Sequence, residues 1–434
     1  MKHWMFVLAG LVFAATAASG CQRRATSAHA VAAITTDACA AALAPGSGRS
    51  DRDRAITQAQ QQAGARGATR DAFERLGYLY VARARVANDP GDYTLADLAA
   101  GCLESRYPGD AGALLLKGHV LHQLHRFSEA ERIARTLVAR RTVVLDYGLL
   151  GDTLMEQGRL AEAAEAYQRM LDLKPFYQSY TRAAHLRWLR GDLEGAIESI
   201  RLAIASASPR DPESAAWAWT RLAVYELQAA RFTAARAAAD SALRYQPDYA
   251  AAHLARGRVL LAIGRHADAI PILREATRLN PVPEYQWLLA DALRLEGRGS
   301  EAEEVEQELM TRGAIADPRT HALYLATRRI SVPRALALTQ EELQARADVF
   351  TLDARAWALA ASGRVAEAHQ IISRALAEGT QDARLFLHAG VISAAAGRDR
   401  EARQWLGRAE QLRPMLLPSE ASELTRRLMN NPKT

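Results

Sequence analysis

The sequence predicts an all-α fold, an array of about nine to ten antiparallel helix pairs, and three observations predict it. Ala makes up about a fifth of the 434 residues and is the strongest helix former. Small turn residues recur with a period near 34. In the clearest stretch Tyr147, Leu150, Gly151 and Leu154 share one face at helical spacing. Hydrophobic residues are 49% and charged residues 24%, which excludes widespread disorder. A chain this long exceeds one compact core and suits several domains or an elongated array. Lys plus Arg is 55 against 49 for Asp plus Glu, a net charge of +6. Only Lys2, Lys117, Lys174 and Lys433 are lysines. An Arg-heavy, Ala-heavy chain fits a genome-composition bias, so the basic balance carries little functional weight.

The N-terminus reads as an address. Lys2 precedes an apolar run from Trp4 to Ala17, then Ala18-Ser19-Gly20-Cys21. A positive start, a short apolar core and small residues before a cut site describe a secretory signal, too short for a confident membrane span. Ala-Ser-Gly-Cys resembles the lipobox of bacterial lipoproteins. That resemblance implies cleavage before Cys21, a diacylglyceryl thioether on it and acylation of its new amino group, hence a membrane contact through the lipid. Gln22, rather than Asp, resembles the outer-membrane sorting pattern. Residues 22–33 read as a tether. The expected location is the periplasmic face of the bacterial outer membrane, where nucleic acid is not an expected partner.

Two further cysteines, Cys39 and Cys102, have two readings. In an oxidising compartment two spare thiols point to a bridge. It would close a loop of 63 residues, contributing roughly 4 kcal/mol in the chain-entropy model. Alternatively both are small buried hydrophobes in helix-like stretches.

The turn residues are Gly158, Gly191, Ala230, Gly264, Gly297, Gly363 and Gly397, at gaps of 33, 39, 34, 33, 66 and 34. The gap of 66 holds a degenerate unit, and that of 39 carries an insertion at 205–212. The insertion is expected to loosen or bend the stack. In the best unit Gly151 lets the second helix approach, Gly158 ends the first helix, and Ala163, Tyr167 and Met170 form the facing stripe. Pro175 stops the second helix. Further units carry Trp219, Leu222, Ala223, Ala235, Ala239, Ala242 and Pro247; Gly257, Leu260, Ala269, Leu273, Ala276 and Pro281; and Phe386, Gly390, Ala402, Leu406, Ala409 and Pro414. A stretched first unit holds Phe73, Leu76, Gly77, Tyr80 and Pro108, and a second holds Gly118, Leu121, Ala130 and Leu137. Ser331-Val332-Pro333 cuts the first helix of the degenerate unit short.

This pattern of bulky residue, Leu, Gly, Tyr, then Ala, Phe-like residue, Ala and Pro resembles the tetratricopeptide repeat over roughly 70–414. The resemblance implies a right-handed superhelix whose units stack only on their neighbours. The expected organisation is a signal peptide (1–20), a tether and N-terminal helical region (21–69), repeat units (70–316), the degenerate unit (317–348), a C-terminal pair of units (349–416) and a capping helix with tail (417–434). Ser419 is expected to N-cap that last helix, with Leu424 and Leu428 on its inner face.

Catalytic motifs are missing from the sequence: it has no H-E-x-x-H, Walker loop, G-x-S-x-G or dinucleotide fingerprint. His119, His122 and His125 are spaced three apart, but no carboxylate or Cys completes a ligand set in that helix, so no metal and no cofactor are expected. His388 is expected to line a repeat junction. Three function classes compete: a binding scaffold; a structural or accessory subunit of an outer-membrane assembly, secretion or polysaccharide-export machine; and, more remotely, a metal carrier or enzyme. The first is preferred. The resemblance implies that the first helix of each pair lines a concave groove. Its slots hold His119, His122, Asp152, His185, Trp188, Trp217, Arg258, Trp287, Asp291, Arg294 and Trp357, with Gln178, Thr181, Thr220, Glu284 and Asp353 beside them. Trp and Arg dominate binding energy at interfaces, so the expected partner is an extended protein segment centred on Trp287 and Arg294. Trp219 falls on a packing slot.

Overall fold

The seven small residues that set the repeat all adopt the left-handed conformation, with φ from 55° at Ala230 to 83° at Gly363. In a computed structural model, which describes residues 38–430 apart from 47, 49, 88, 89 and 209, two residues complete that series. His125 (φ 57°) lies one period before Gly158, and Arg329 (φ 54°) falls inside the gap of 66. After each of the nine, the next backbone N–H reaches back five residues, as from Arg159 to the Leu154 carbonyl at 2.9 Å and Ile330 to Leu325 at 2.9 Å. This six-to-one bond satisfies a carbonyl that a helix end otherwise orphans. Cys21 and the leader lie outside the described residues.

The described residues form 23 α-helices and one 3-10 turn, and the chain divides into two compact units, ending and starting at Val120 and Leu121. In the first unit α1 (Ala38–Ala42), α2 (Asp51–Gly64), α3 (Arg70–Ala87) and α4 (Pro90–Arg106) precede the start of α5 (Ala111–Gln123). Ser50 and Asp53 close a capping box on α2. Phe73, Leu76 and Tyr80 face inward from α3, all at most 1% exposed. Cys39 and Cys102 are bonded, with Cα atoms 4.7 Å apart, tying α1 to α4. The Tyr80 hydroxyl donates to the Ala42 carbonyl at 2.6 Å and accepts from Gln60 at 2.9 Å, so the buried phenol is satisfied.

The second unit continues through α6 (Phe127–Arg140) and the pairs α7/α8 (Val144–Glu156, Leu160–Leu173), α9/α10 (Tyr177–Leu189, Leu193–Ser206), α11/α12 (Pro212–Gln228, Phe232–Tyr245) and α13/α14 (Ala250–Ala262, His266–Leu279). Then come α15/α16 (Pro283–Leu295, Gly299–Ala316), α17/α18 (Pro318–Arg328, Val332–Ala345), α19/α20 (Val349–Ala361, Val365–Ala377), α21/α22 (Ala383–Ala395, Asp399–Gln411) and α23 (Pro418–Asn430). The two helices of each pair pack on each other and on the next pair. Gly151 is there for space: a Cβ on it would lie 2.2 Å from the Tyr167 ring. The degenerate unit is a true pair, its first helix shortened to 11 residues and ended by Arg329. The insertion does not break the stack. Asp211 caps α11, which runs to 17 residues, and α10 still packs on α11. A helix absorbs extra residues in register by growing about a turn, since each adds a bond to the ladder.

Within this unit the array meets itself. The Thr380 hydroxyl donates to the Leu189 carbonyl at 2.5 Å, and the Gln228 amide donates to the Gln381 carbonyl at 2.7 Å. Gly158 and Gly191 approach the backbone of Ala347 and Gly379 so closely that a Cβ would sit 2.5 and 2.8 Å from their carbonyl oxygens. Arg346 and Glu156 face each other across the same line at 3.5 Å. The loops before α19 and α21 thereby form a seam against the ends of α7, α9 and α11, and the concave face becomes a walled cavity.

Candidate functional site

The cavity encloses about 440 Å³ and takes residues from all seven first helices between α9 and α21. Four residues expected from the sequence meet there: His185, Trp188, Trp217 and Arg258. Glu284, Thr220 and Asp353 join them. One wall is aromatic. His185 stacks on Trp188 at 5.6 Å, and Trp188 stacks on Phe350 at 5.8 Å across the seam. The Trp188 indole N–H donates to Gln228 at 2.6 Å, which fixes the ring. Trp217 is 36% exposed, a large indole turned to the open side.

Arg221, Arg258, Arg319 and Arg384 line the cavity against Glu284, Asp353 and Asp382. Arg258 pairs with Glu284 at 3.3 Å, Arg319 with Asp348 at 3.3 Å, and Arg384 with Glu420. Asp353 pairs with buried His388 at 2.9 Å. Arg221 differs. Its guanidinium lies over Trp188 and Tyr225 at 5.6 and 5.1 Å and donates to the Tyr225 hydroxyl at 3.4 Å, with no ion pair to a carboxylate among the described residues. Its Nε is buried without a hydrogen-bond partner. Burial, and then the charge of Arg221, lower His185 to about 3, so that imidazole is neutral near pH 7. Burial likewise raises the Asp382 carboxyl, which caps α21 through the Leu385 N–H.

The other expected slots serve packing or are covered. His119 meets Tyr78 edge-on at 6.4 Å in the first unit, and His122 meets Phe127 at 5.2 Å in the second. Asp152 accepts from Arg182 at 2.6 Å and from the Tyr167 hydroxyl at 2.8 Å, a structural tie between α7, α8 and α9. Burial pushes its carboxyl up, but Arg182 outweighs this and holds it below the usual range. Trp357 stacks on His388 at 4.0 Å and 10°, filling the junction of α19 and α21.

Trp287 and Arg294 are not the centre of an open groove. Trp287 is fully buried, and Arg294 is tied to Glu306 at 2.6 Å. The reason is the end of the chain. After the 3-10 turn Arg413–Met415, the segment crosses the concave side to α15. Asp291 accepts from the Ser419 N–H at 2.9 Å and hydroxyl at 2.5 Å, and Trp287 Nε1 donates to the same hydroxyl at 3.3 Å. Ser419 is therefore not the N-cap of α23, which starts at Pro418; Glu420 accepts from the Leu417 N–H instead. Leu424 is fully buried and Leu428 packs beside it, on the inner face as expected. Trp219 is half-buried against Ala216, Ala242 and Ala252.

The sequence reasoning missed Arg221, Arg319, Phe350, Tyr249 and Arg384. A signal existed for Arg221, which lies four residues after Trp217 on the same helical face. Phe350 and Arg384 reach the cavity from repeats 162 and 196 residues after Trp188. Among the described residues no group of three His, Cys, Asp or Glu is placed to hold a metal, and no helix is long and apolar enough to cross a membrane.

The family model of the tetratricopeptide repeat matches residues 115–178, 149–215, 220–282 and 264–314, together a little under half of the chain. With the paired helices and repeated turns, this describes an all-α array of tetratricopeptide-like repeats, a repeat typical of non-catalytic scaffolds for protein–protein interaction. Among solved structures it is similar to a tetratricopeptide repeat protein from Parabacteroides merdae (19% identity, 58% of this chain and 99% of that one, TM-score 0.33). It is also similar to MamA (21% identity, 38% and 94%, TM-score 0.32) and to a human IFIT1 dimer with m7Gppp-AAAA (15% identity, 75% and 76%, TM-score 0.45). No curated protein matches the sequence.

Proposed function

We propose that this protein is a non-enzymatic scaffold of the bacterial envelope that holds an extended protein segment in the walled cavity. The observation that carries this reading is Arg221, a cation without a carboxylate partner among the described residues, lying on an aromatic wall beside the exposed indole of Trp217. A segment with an apolar side chain against Trp217 and a carboxylate on Arg221 completes both. The neutral His185 adds no competing charge. The anchor is the lipidated Cys21, supported by Ala18-Ser19-Gly20-Cys21, and Gln22 supports the outer membrane.

A photo-crosslinking residue at Trp217 in the full chain tests the cavity in the native envelope. A discrete crosslinked partner, lost when Arg221→Ala is added, supports the reading; crosslinks unaffected by Arg221→Ala sink it. Palmitate labelling that disappears with Cys21→Ser tests the anchor, and an unlipidated mature chain refutes it.

A further inference from the structure

The segment that covers Trp287 does more than cap the array. A terminal helix has only to cover the apolar face of the last pair. Leu424 and Leu428 do this, packed with Phe386 and Leu406. The stretch before them spans from α21 of the last pair to α15, three pairs upstream, and to Arg258 of α13. Its contacts along that path are those of a bound peptide. Arg258 donates to the Met415 carbonyl at 2.9 Å, Asp291 takes the Ser419 N–H and hydroxyl, and Arg384 takes the Glu420 carboxylate. All three receiving side chains stand on first helices, where groove ligands are held. Leu417 supplies the apolar anchor and is fully buried.

The seating is incomplete. A space of about 330 Å³ remains between this stretch and α13 and α15, and Leu295 beside it is 46% exposed. That space is a cleft open to solvent on one side, so the stretch is bordered by water there and opens at lower free-energy cost than an element buried on every side. We infer that residues 413–420 are a built-in occupant of the protein-binding groove, displaced by an external segment of the same chemistry: an apolar residue, a proline, a hydroxyl residue and a carboxylate at the start of a helix. The inference rests on the reading that the concave side binds protein, and it assigns the regulation of that site to the chain's own end.

The test uses the full chain and a fluorescent synthetic peptide of residues 412–424. In the chain, Ser419→Ala with Glu420→Gln removes the hydroxyl and the carboxylate from the occupant but leaves Asp291, Arg384 and Arg258 in place. The double variant binds the peptide about tenfold or more tightly than the unaltered chain, the scale of losing hydrogen bonds to charged groups. A peptide carrying both substitutions binds neither. Equal binding to both chains, or to neither, overturns the inference, and so does a double variant that dimerises instead of taking up peptide. Hydrogen exchange on the unaltered chain is the second measurement, independent of any variant. Amides of 413–424 exchange faster than those of α21 and α22; equal protection overturns the inference. If the peptide exchanges as described while partner crosslinking at Trp217 ignores Arg221→Ala, the occupant stands and the cavity reading falls.

Discussion

Asp291 on α15 holds both the backbone N–H and the hydroxyl of Ser419, 128 residues later in the chain. The carboxylate is buried, and Arg328 is its cationic neighbour at 3.2 Å. Burial raises its pKa to about 6, against the pull of the Ser419 bonds. Between the ordinary 3.8 and about 6 the folded chain keeps a proton that the unfolded chain has lost, so Asp291 subtracts stability as pH rises through that window. The full effect above it is on the order of 3 kcal/mol. Asp291→Asn removes this slope. Urea midpoints at pH 4 to 7 check it: the difference between variant and unaltered chain grows in the variant's favour as pH rises. A constant difference contradicts it.

His185 acts in the opposite sense. Its folded pKa of about 3 lies below the ordinary 6.5, so the unfolded chain binds the proton first as pH falls. Its contribution is intact above pH 6.5 and is lost progressively below it. His185→Gln therefore retains more of its neutral-pH stability at pH 4 to 5 than the unaltered chain does. Melting temperatures referred to each protein's own value at pH 7 measure this.

Gly158 and Gly264 are equivalent turn residues with different surroundings. Replacing either by Ala costs about 1 kcal/mol for the left-handed backbone. At Gly264 nothing lies within 4 Å of the new methyl, whereas at Gly158 it meets the Ala347 carbonyl at 2.5 Å. Gly158→Ala is expected to cost about 1–3 kcal/mol more than Gly264→Ala, the scale of overpacking, and to speed exchange of amides in 346–350, the loop it faces. Equal costs would show that the seam bears no load.

Arg329 holds a left-handed conformation with a side chain that disfavours it. Arg329→Gly is expected to stabilise the array by about 1 kcal/mol, read as a shift in urea midpoint. A loss of similar size would mean that its side chain makes up for the strain.

Trp217→Ala and Arg221→Ala are expected to weaken partner capture while moving the melting temperature by no more than a few degrees. Trp217 is exposed, and Arg221 has no carboxylate to strand among the described residues. Unfolding of either variant would assign these residues to packing.

The repeat was legible because glycine at a left-handed turn is a local demand, met at Gly158, Gly191, Gly264, Gly297, Gly363 and Gly397 by the cheapest residue for it. His125 and Arg329 meet the same demand without glycine and escaped notice. Counting slots along one helix found the concave side, so His185, Trp188, Trp217 and Arg258 were found. It carries no information on what later chain lies over a slot. That is why Trp287, a groove position by count, is a buried residue in fact. Phe350 and Arg384 were hidden for the same reason, since only closure of the seam brings them to Trp188 and Trp217. Cys39 and Cys102 were left between bridge and buried thiols, because composition alone does not fix a distance.

The seam also decides how fast anything is captured. An open groove lets a flexible chain settle sideways at any point along its length. Here Thr380 on Leu189 and Gln228 on Gln381 bar that route. A segment must thread in by a free end or wait for the wall to part. Residence time then follows the frequency of parting rather than the sum of contacts, and termini and unstructured tails are favoured over loops tied at both ends.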